Sequence, residues 1–408
     1  MINATDALRI VLDATEPLAT EKIRVDKALG RVLGEDIVSR EDVPSFDNSS
    51  MDGYAVRLAD LVKSGKGNAV VLKVAGEARA GRVFPGNLQP GNCIRIMTGG
   101  KIPAGAGAVV PLEAVEVLKD GRVQFRETIK AGWNIRRAGE DIAKGETVLH
   151  AGDLVRPPHL GVLASLGRTR IRVHRRPRVN ILATGDELVG IDRKPDEGQI
   201  RNSTSLALSG FVQEAGGTPK SLDVARDKRK KIRSRIEEGL KCDVLLITGG
   251  VSVGKYDYVK EALEQLGVEI RFWKVNIKPG RPLLFGLQPR RGKRNGTLVF
   301  GLPGNPSSTG VTFLQFVRPA LLKMCGRRDA GVLQLSARIE HDFSKSDGKR
   351  HYLRGIATEA DGELHVRTTG VQSSGMMSSL AKANCLIIIP EERMNVKSGE
   401  LVQVEMLI

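Results

Sequence analysis

The spacing of apolar positions changes character several times along the chain. MINATDALRIVLDATEPL places Ala7, Ile10, Val11 and Ala14 at helical spacing, which predicts an amphipathic helix capped by Asn3 or Thr5. Segment 1–45 as a whole reads as helical with short connections. Over 46–140 the runs become short and alternating: VVLKV (70–74), CIRIM (93–97), AVV (108–110), VEVL (115–118) and VQF (123–125), separated by Pro-Gly and Gly-rich turns. That pattern predicts a small β-rich unit. Residues 141–177 return to Gly-Pro punctuation, with a short helix in RPPHLGVLASLG (156–167). From 178, strands and helices alternate: RVNILAT (178–184), helices at 205–217 and 228–240, DVLLIT (243–248), a helix at 255–266, TLVFGL (297–302) and a helix at 306–325. Alternation of this kind predicts an α/β unit around a mostly parallel sheet. After about 329, LQLSARIE, HYLRGI, ELHVRT, CLIIIP and LVQVEMLI read as strands of a small β-barrel or sandwich. The fold class expected is multidomain α/β plus β.

Composition narrows the chemistry. A chain of 408 residues has room for roughly two to four domains. Only 4% is aromatic, so the cores must rest on Val, Ile, Leu and Ala. No stretch approaches the ~18 consecutive apolar residues of a membrane span, and no basic leader precedes an apolar block. No membrane is therefore expected as a partner, and a cytoplasmic location is. Cys93, Cys242, Cys325 and Cys385 stand singly and the six histidines lack ligand spacing, which argues against a zinc site. Any metal is then a hard cation on carboxylates and phosphate. The net charge of +16 is concentrated in RIRVHRRPR (170–178), RDKRKKIRSR (226–235) and PRRGKR (289–294). In the second run Ile232, Ile236 and Leu240 form a buried stripe, and the basic residues between them decorate a wet face. No aromatics interleave with these runs, so the stacking platform of a single-strand nucleic-acid binder is missing.

Three strands of the α/β unit run straight into unusual loops: ATGDEL (183–188), TGGVSVG (248–254) and GLPGNPSSTG (301–310). Singly, each has a bland reading. A Gly-Gly after a strand is usually a turn, Ser-Ser at a helix start is usually a cap, and Asp186 or Glu187 would cap a helix from 188 onward. Together they predict one site, because loops at the carboxyl ends of parallel strands share an edge. Gly249, Gly250, Pro303, Gly304, Asn305 and Pro306 let the backbone approach a ligand. Ser307 and Ser308 sit where the next helix begins, which favours a phosphate or another tetrahedral oxyanion. Lys274 and Lys278, in WKVNIKPGRPLLFG (273–286), add compact cations suited to oxyanions. The alternative is a surface turn with snorkelling lysines.

Eight segments in order then carry a resemblance: PSFDNSSMDGYAVR (44–57), IRIMTGGKIPAGAGAVVPLE (94–113), NIRRAGEDI (134–142), ATGDEL, TGGVSVGKYDYV (248–259), KPGRPLLFG (278–286), GLPGNPSST (301–309) and QSSGMMSSLAKAN (372–384). The chain resembles, nearly end to end, the molybdopterin molybdenumtransferase family, the group of MoeA and the gephyrin E domain. The resemblance implies a three-layer α/β molybdopterin-binding domain at 178–328 and a β-rich domain at 46–140. It also implies an extended linking and dimerisation domain from 1–45 with 141–177, and a C-terminal β-barrel at 329–408. The implied enzyme is a homodimer whose active site is shared between subunits. It consumes adenylyl-molybdopterin and molybdate with Mg²⁺ and releases AMP, with a molybdopterin adenylyltransferase as its pathway partner.

By motif position, the resemblance places Lys274, Lys278, Ser307, Arg354 and Ser374 in the oxyanion pocket. Arg350 is an alternative to Arg354, and Ser373 to Ser374. Gly249, Gly250, Ser252 and the run Pro303 to Pro306 would bind the substrate. Asp52, Thr98, Asp141, Glu187, Asp227 and Asp257 form the implied catalytic set. Glu187 and Asp257 would stand closest to the metal, while Asp52, Thr98 and Asp141 would come from the partner-side wall. Two departures stand out: lysine and tyrosine precede Asp257, and GQIRNSTS (198–205) matches the family's loop only at Asn202. Two other activities fit parts of the pattern: a molybdopterin adenylyltransferase, which lacks the extra domains, and a non-catalytic scaffold of the same fold.

Overall fold

The computed structural model describes residues 1–65, 68–250, 258–289, 296–329 and 332–407. Two compact units divide these. One comprises Met1–Gly34, Gly152–Arg156 and Ile171–Ile408; the other comprises Glu35–Ala151 and Pro157–Arg170.

The first unit is built around a six-stranded sheet. Its order is Thr218–Ser221, Arg178–Ala183, Val244–Thr248, Thr297–Leu302, Leu284–Gln288 and Glu269–Trp273. The first four strands are parallel, and Leu284–Gln288 runs antiparallel to both of its neighbours. Ala183 is in register with Thr248 and Thr248 with Leu302, so three strands end flush. Alternate residues feed two cores, as the period of two requires. Ile181, Leu246 and Phe300 face Leu208, Val212, Val311, Phe316 and Leu321 from the helices on one side. Leu182, Leu245, Ile247 and Val299 face Ile232, Ile236, Val259 and Leu263 on the other. Asn3 caps the helix Ala4–Asp13 by accepting from Asp6 N–H, and Ala4, Ala7 and Val11 enter the first of these cores.

The C-terminal strands close into a barrel. Arg350–Ala360 pairs with both Glu363–Thr368 and Cys385–Ile389. Cys385–Ile389 pairs with Leu401–Met406, which pairs with Gln334–Ile339, and that strand returns to Glu363–Thr368. Closure leaves no strand edge among these five. A two-residue strand from the α/β part, Ile277–Lys278, adds to the start of the longest barrel strand, with Lys278 opposite His351. The second unit holds a six-stranded sheet in the order Ala108–Pro111, Gly53–Val56, Asn92–Ile96, Val70–Ala78, Val123–Phe125 and Val115–Val117.

The structure departs from the pattern in several places. Residues 14–45 are not helical beyond short turns; they include the strands Thr20–Arg24 and Ile37–Val38, because Pro17, Gly30 and Gly34 interrupt any helical run. No helix starts at 188; Leu188–Val189 is a short strand, and the next helix is Ser203–Glu214. The stretch 269–288, for which the pattern predicts no element, contributes an antiparallel strand pair. The helix expected at 306–325 is in three parts, Pro306–Thr312, a π-wound turn Phe313–Val317, and Arg318–Met324, with Pro319 removing a backbone donor at the second junction.

Candidate functional site

The three glycine-bearing loops meet at the carboxyl edge of the sheet. Gly249 N–H donates to Leu302 O (3.3 Å) and Thr184 N–H to Thr248 O (2.9 Å). Gly249 has φ +79, and a Cβ there would stand 2.8 Å from Thr184 O, so the loops are close enough that only glycine fits. A Cβ on Gly304 would lie 3.7 Å from Gly249 Cα. Pro306 opens the following helix, and Thr309 Oγ1 donates back to Pro303 O. Asn305 Nδ2 donates to Ser374 Oγ (2.9 Å), and Ser307 N–H to Ser374 O (3.1 Å). The Ser307 hydroxyl is fully buried and makes no hydrogen bond among the described residues. A buried hydroxyl left unpaired is costly, so the orphan points to a missing partner.

Lys278 lies in an adjoining cavity of about 350 Å³, lined among others by Lys345, Asp347, His351, Arg354 and Gln372. The turn that follows Lys278 lies flat on the Pro306–Thr312 helix. Gly280 has φ +108, and a Cβ there would sit 2.4 Å from Thr312 Cγ2. Lys278 Nζ is 3.5 Å from Asp347 Oδ2. Asp347 also accepts from His351 Nε2 (2.8 Å) and Lys349 Nζ (3.2 Å); burial opposes its ionisation, but these bonds hold the carboxyl far below its usual range. Burial also lowers the His351 pKa. Lys345 Nζ donates to the carbonyl oxygens of Lys349, Pro390 and Glu391, and burial pushes its pKa down.

Arg354 is the largest fully buried side chain among the described residues. Its Nε donates to Ser379 Oγ (3.0 Å), its Nη2 to Ser373 O (3.0 Å), and its backbone N–H to Gln372 Oε1 (2.8 Å). Every acceptor is neutral. Burial alone pushes its pKa down, with no acidic group among the described residues to offset it. Arg350, four residues earlier, is ion-paired to Glu391 (3.0 Å) and lines a separate hollow with Asn3, Thr5 and Asp6. Lys274 is not among the residues lining the Lys278 cavity. It has φ +74, and its Nζ lies over the Trp273 ring, 4.4 Å from the centroid.

The acidic residues fall into separate groups. Asp186 Oδ1 accepts from Asp227 N–H (3.2 Å), and the Glu187 carboxylate folds back over Gly185, where a Cβ would meet it at 2.4 Å. Burial, then the charges of Asp186 and Glu187, raise the Asp227 pKa. Asp257 and Ser252 lie outside the described residues. Among the described residues no three metal-ligating side chains are gathered. Asn202 caps the helix Ser203–Glu214 by accepting from Ser205 N–H. Asp52, Thr98 and Asp141 belong to the second unit. There Asp52 Oδ1 accepts from the N–H and the hydroxyl of Thr98, each at 2.7 Å, and those bonds lower its pKa. Asp141 lines a hollow with Val43, Pro44, Arg136 and Glu140. Lys345, Asp347, His351 and Gln372 went unmarked in the sequence; SKSDGKRH (344–351) shows only a polar link between strands.

Comparison with known proteins matches residues 2–167 to the MoeA N-terminal region (domain I and II), 180–323 to a probable molybdopterin binding domain, and 336–407 to the MoeA C-terminal region (domain IV). A molybdopterin molybdenumtransferase of Haemophilus influenzae is 38% identical over 392 residues, covering 95% of this chain and 94% of that protein. This chain belongs to the molybdopterin molybdenumtransferase family. Gephyrin of Dictyostelium discoideum is 34% identical over 99% of this chain and 62% of its own length. Among solved structures, the molybdopterin biosynthesis moeA protein of Pyrococcus horikoshii OT3 matches with a TM-score of 0.83 and 31% identity over the whole of both chains. The α/β sheet and the closed five-stranded barrel are thus those of a molybdopterin molybdenumtransferase.

Proposed function

We propose that the chain inserts molybdenum into molybdopterin, consuming adenylyl-molybdopterin and molybdate and releasing AMP. The observation that carries this reading is Arg354, a fully buried guanidinium held by neutral acceptors in one cavity with Lys278. A buried charge without a counter-ion is unfavourable, and a tetrahedral dianion would relieve it. Of the two arginines, Arg354 is therefore the pocket residue, since Glu391 already neutralises Arg350. Lys278 exchanges Asp347 for the oxyanion, the Ser307 hydroxyl gains the partner it lacks, and Ser373 and Ser374 hold Arg354 and Asn305 in place. Lys274 fixes the turn before Lys278 from its place on Trp273.

The glycine loops at the sheet edge, Gly249, Gly250 and Pro303 to Pro306, take the pterin pyrophosphate against their backbone. Water attacks phosphorus, the phosphoanhydride bond breaks, and AMP departs. Asp227, the carboxylate whose surroundings favour protonation, takes the proton of that water. The carboxylate of Glu187 is an oxygen donor of the kind Mg²⁺ uses, with Asp257, outside the described residues, as the second by motif position; the ion often takes one or two carboxylates and fills its shell with water and phosphate. When bound, the metal polarises the anhydride. Asp52, Thr98 and Asp141 of the second unit complete the site from the partner subunit of a homodimer. A molybdopterin adenylyltransferase upstream supplies the nucleotide-bearing substrate. A cytoplasmic location goes with this biosynthetic role; no described helix is long and apolar enough to cross a membrane.

The test is AMP release from adenylyl-molybdopterin, followed with and without molybdate, and activation of a molybdenum-free apoenzyme by the product. Molybdate-dependent release is expected. Formation of adenylyl-molybdopterin from ATP without molybdate-dependent release would make the chain an adenylyltransferase. Full support of molybdoenzyme activity by an AMP-release-dead variant would make it a scaffold. Mixing Asp227→Ala and Asp52→Ala chains should restore part of the activity through heterodimers; no recovery would refute the shared site.

A further inference from the structure

A second cavity, about 360 Å³, lies between the helix Ser203–Glu214, the π-wound turn Phe313–Val317, the short helix Met377–Ala381 and the last strand Leu401–Met406. None of its lining residues enters the chemistry above. One wall is a stacked aromatic pair, Phe211 and Phe313, with ring centroids 5.4 Å apart and planes at 23°. Leu380 and Met406 continue the apolar surface. Widened helical turns of the π type recur at binding sites, because they trade a regular ladder for a re-aimed side-chain face.

Three charged groups interrupt this apolar lining: Glu214, which is exposed, Glu405 and Arg318. Glu405 is buried, and each of its carboxylate oxygens accepts a neutral amide, from Gln315 Nε2 and from Gln334 Nε2 (3.0 Å). Its hydrogen-bonding needs are therefore met without a cation. Arg318 is half-buried and, among the described residues, makes neither an ion pair nor a hydrogen bond. Burial lowers its pKa first and Arg327 adds repulsion; Glu214, Glu405 and Asp329 offset this only from beyond contact. A guanidinium fork left idle beside a cavity large enough for a small molecule is set up for a carboxylate, which it grips with two parallel N–H bonds.

We propose that this cavity binds a small apolar carboxylic acid, its carboxylate on Arg318 and its hydrocarbon body between Phe211, Phe313, Leu380 and Met406. The site also touches the machinery of the oxyanion cavity at one remove. Leu380 packs on Gly310, where a Cβ would stand 2.3 Å from Leu380 Cδ2, and the neighbouring Ser379 holds Arg354 through its hydroxyl.

The test titrates 4-phenylbutyrate, and 4-phenylbutan-1-ol as its uncharged counterpart, into the full-length protein by calorimetry and ligand-observed NMR. One acid per chain is expected to bind, with the alcohol about tenfold weaker or worse, the factor a charge-assisted hydrogen bond supplies. Arg318→Met should cost the acid that same factor and leave the alcohol unchanged. Leu380→Trp should fill the cavity and abolish binding of both, and Met406→Trp serves if the first variant does not fold. Saturating molybdate should leave acid binding intact, which separates this site from the oxyanion cavity. Absence of saturable binding, equal affinity for acid and alcohol, indifference to Arg318→Met, or displacement by molybdate would each overturn the proposal.

Discussion

Replacing Arg354 with methionine separates the work of its charge from that of its bulk. The unbranched thioether fills much of the same channel, so little cavity opens. The variant loses two hydrogen bonds, to Ser379 Oγ and Ser373 O, each worth about 1.5–3 kcal/mol to a charged donor. It also escapes the several kcal/mol that burying an unneutralised guanidinium costs. These contributions are of similar size and opposite sign. The melting temperature should therefore move by no more than a few degrees in either direction. Oxyanion affinity should not survive. A unit charge pair at ~4 Å and an effective dielectric of ~20 is worth ~4 kcal/mol, and half of that, left after relaxation, still weakens a dianion at least ~30-fold. The assay is KM for molybdate in AMP release, with the molybdate-induced rise in melting temperature as a measure that needs no turnover. Wild type should gain ~2.7 kcal/mol at a hundredfold excess over its Kd, and the variant at the same concentration ~0.9 kcal/mol or less. A folded Arg354→Met protein with KM within about threefold of wild type would refute the assignment of the cavity.

Three other substitutions probe the same framework. Ser307→Ala removes a hydroxyl with no partner, so stability should stay level or rise by up to ~1 kcal/mol by denaturant titration, while KM for molybdate rises about tenfold; a clear loss of stability would show that the hydroxyl is already bonded. Gly280→Ala forces a Cβ to 2.4 Å from Thr312 at φ +108, and should cost ~2 kcal/mol or more and raise KM by displacing Lys278; unchanged melting and kinetics would show that the turn yields freely. Asp243, which takes two hydrogen bonds from Arg175 at 2.7 and 2.8 Å, has a lowered pKa because those bonds and one from Arg178 N–H outweigh its burial. Its stabilisation is then fully present above the ordinary Asp pKa of ~3.9 and is lost as pH falls through the depressed folded value. Asp243→Asn should lower stability by ~3 kcal/mol at neutral pH and flatten the acid limb of the melting curve; an acid limb as steep as wild type would place the linkage elsewhere.

The sheet edge was legible because three buried strands each ran directly into glycine, and a parallel sheet gathers such ends. The wall of the cavity opposite it was not. Lys345 and Asp347 lie in the link between the strands Phe343–Ser344 and Arg350–Ala360, and His351 at the start of the latter, roughly seventy residues further on; the two-residue strand Ile277–Lys278 pairs there and brings Lys278 to them. No periodicity signals a strand that short. The choice between Arg350 and Arg354 was undecidable for a related reason. Four residues apart on one strand, they share a face, so alternation treats them alike. About 13 Å of strand separates them, and Glu391 stands at one end only. The first 45 residues misled because an opening amphipathic helix suggested more helix than Pro17, Gly30 and Gly34 permit.

The longest barrel strand, Arg350–Ala360, also has a consequence for modularity. It shuts the barrel along both its edges, and its first residues accept the strand bearing Lys278. A fragment ending near 328 would keep the glycine loops yet forfeit the buried guanidinium, so it should still recognise a pterin phosphate while losing its discrimination for the metal oxyanion. On the proposed assignment, recognition of the organic substrate and capture of the inorganic one are divided between two stretches of chain, so the first can outlast loss of the second.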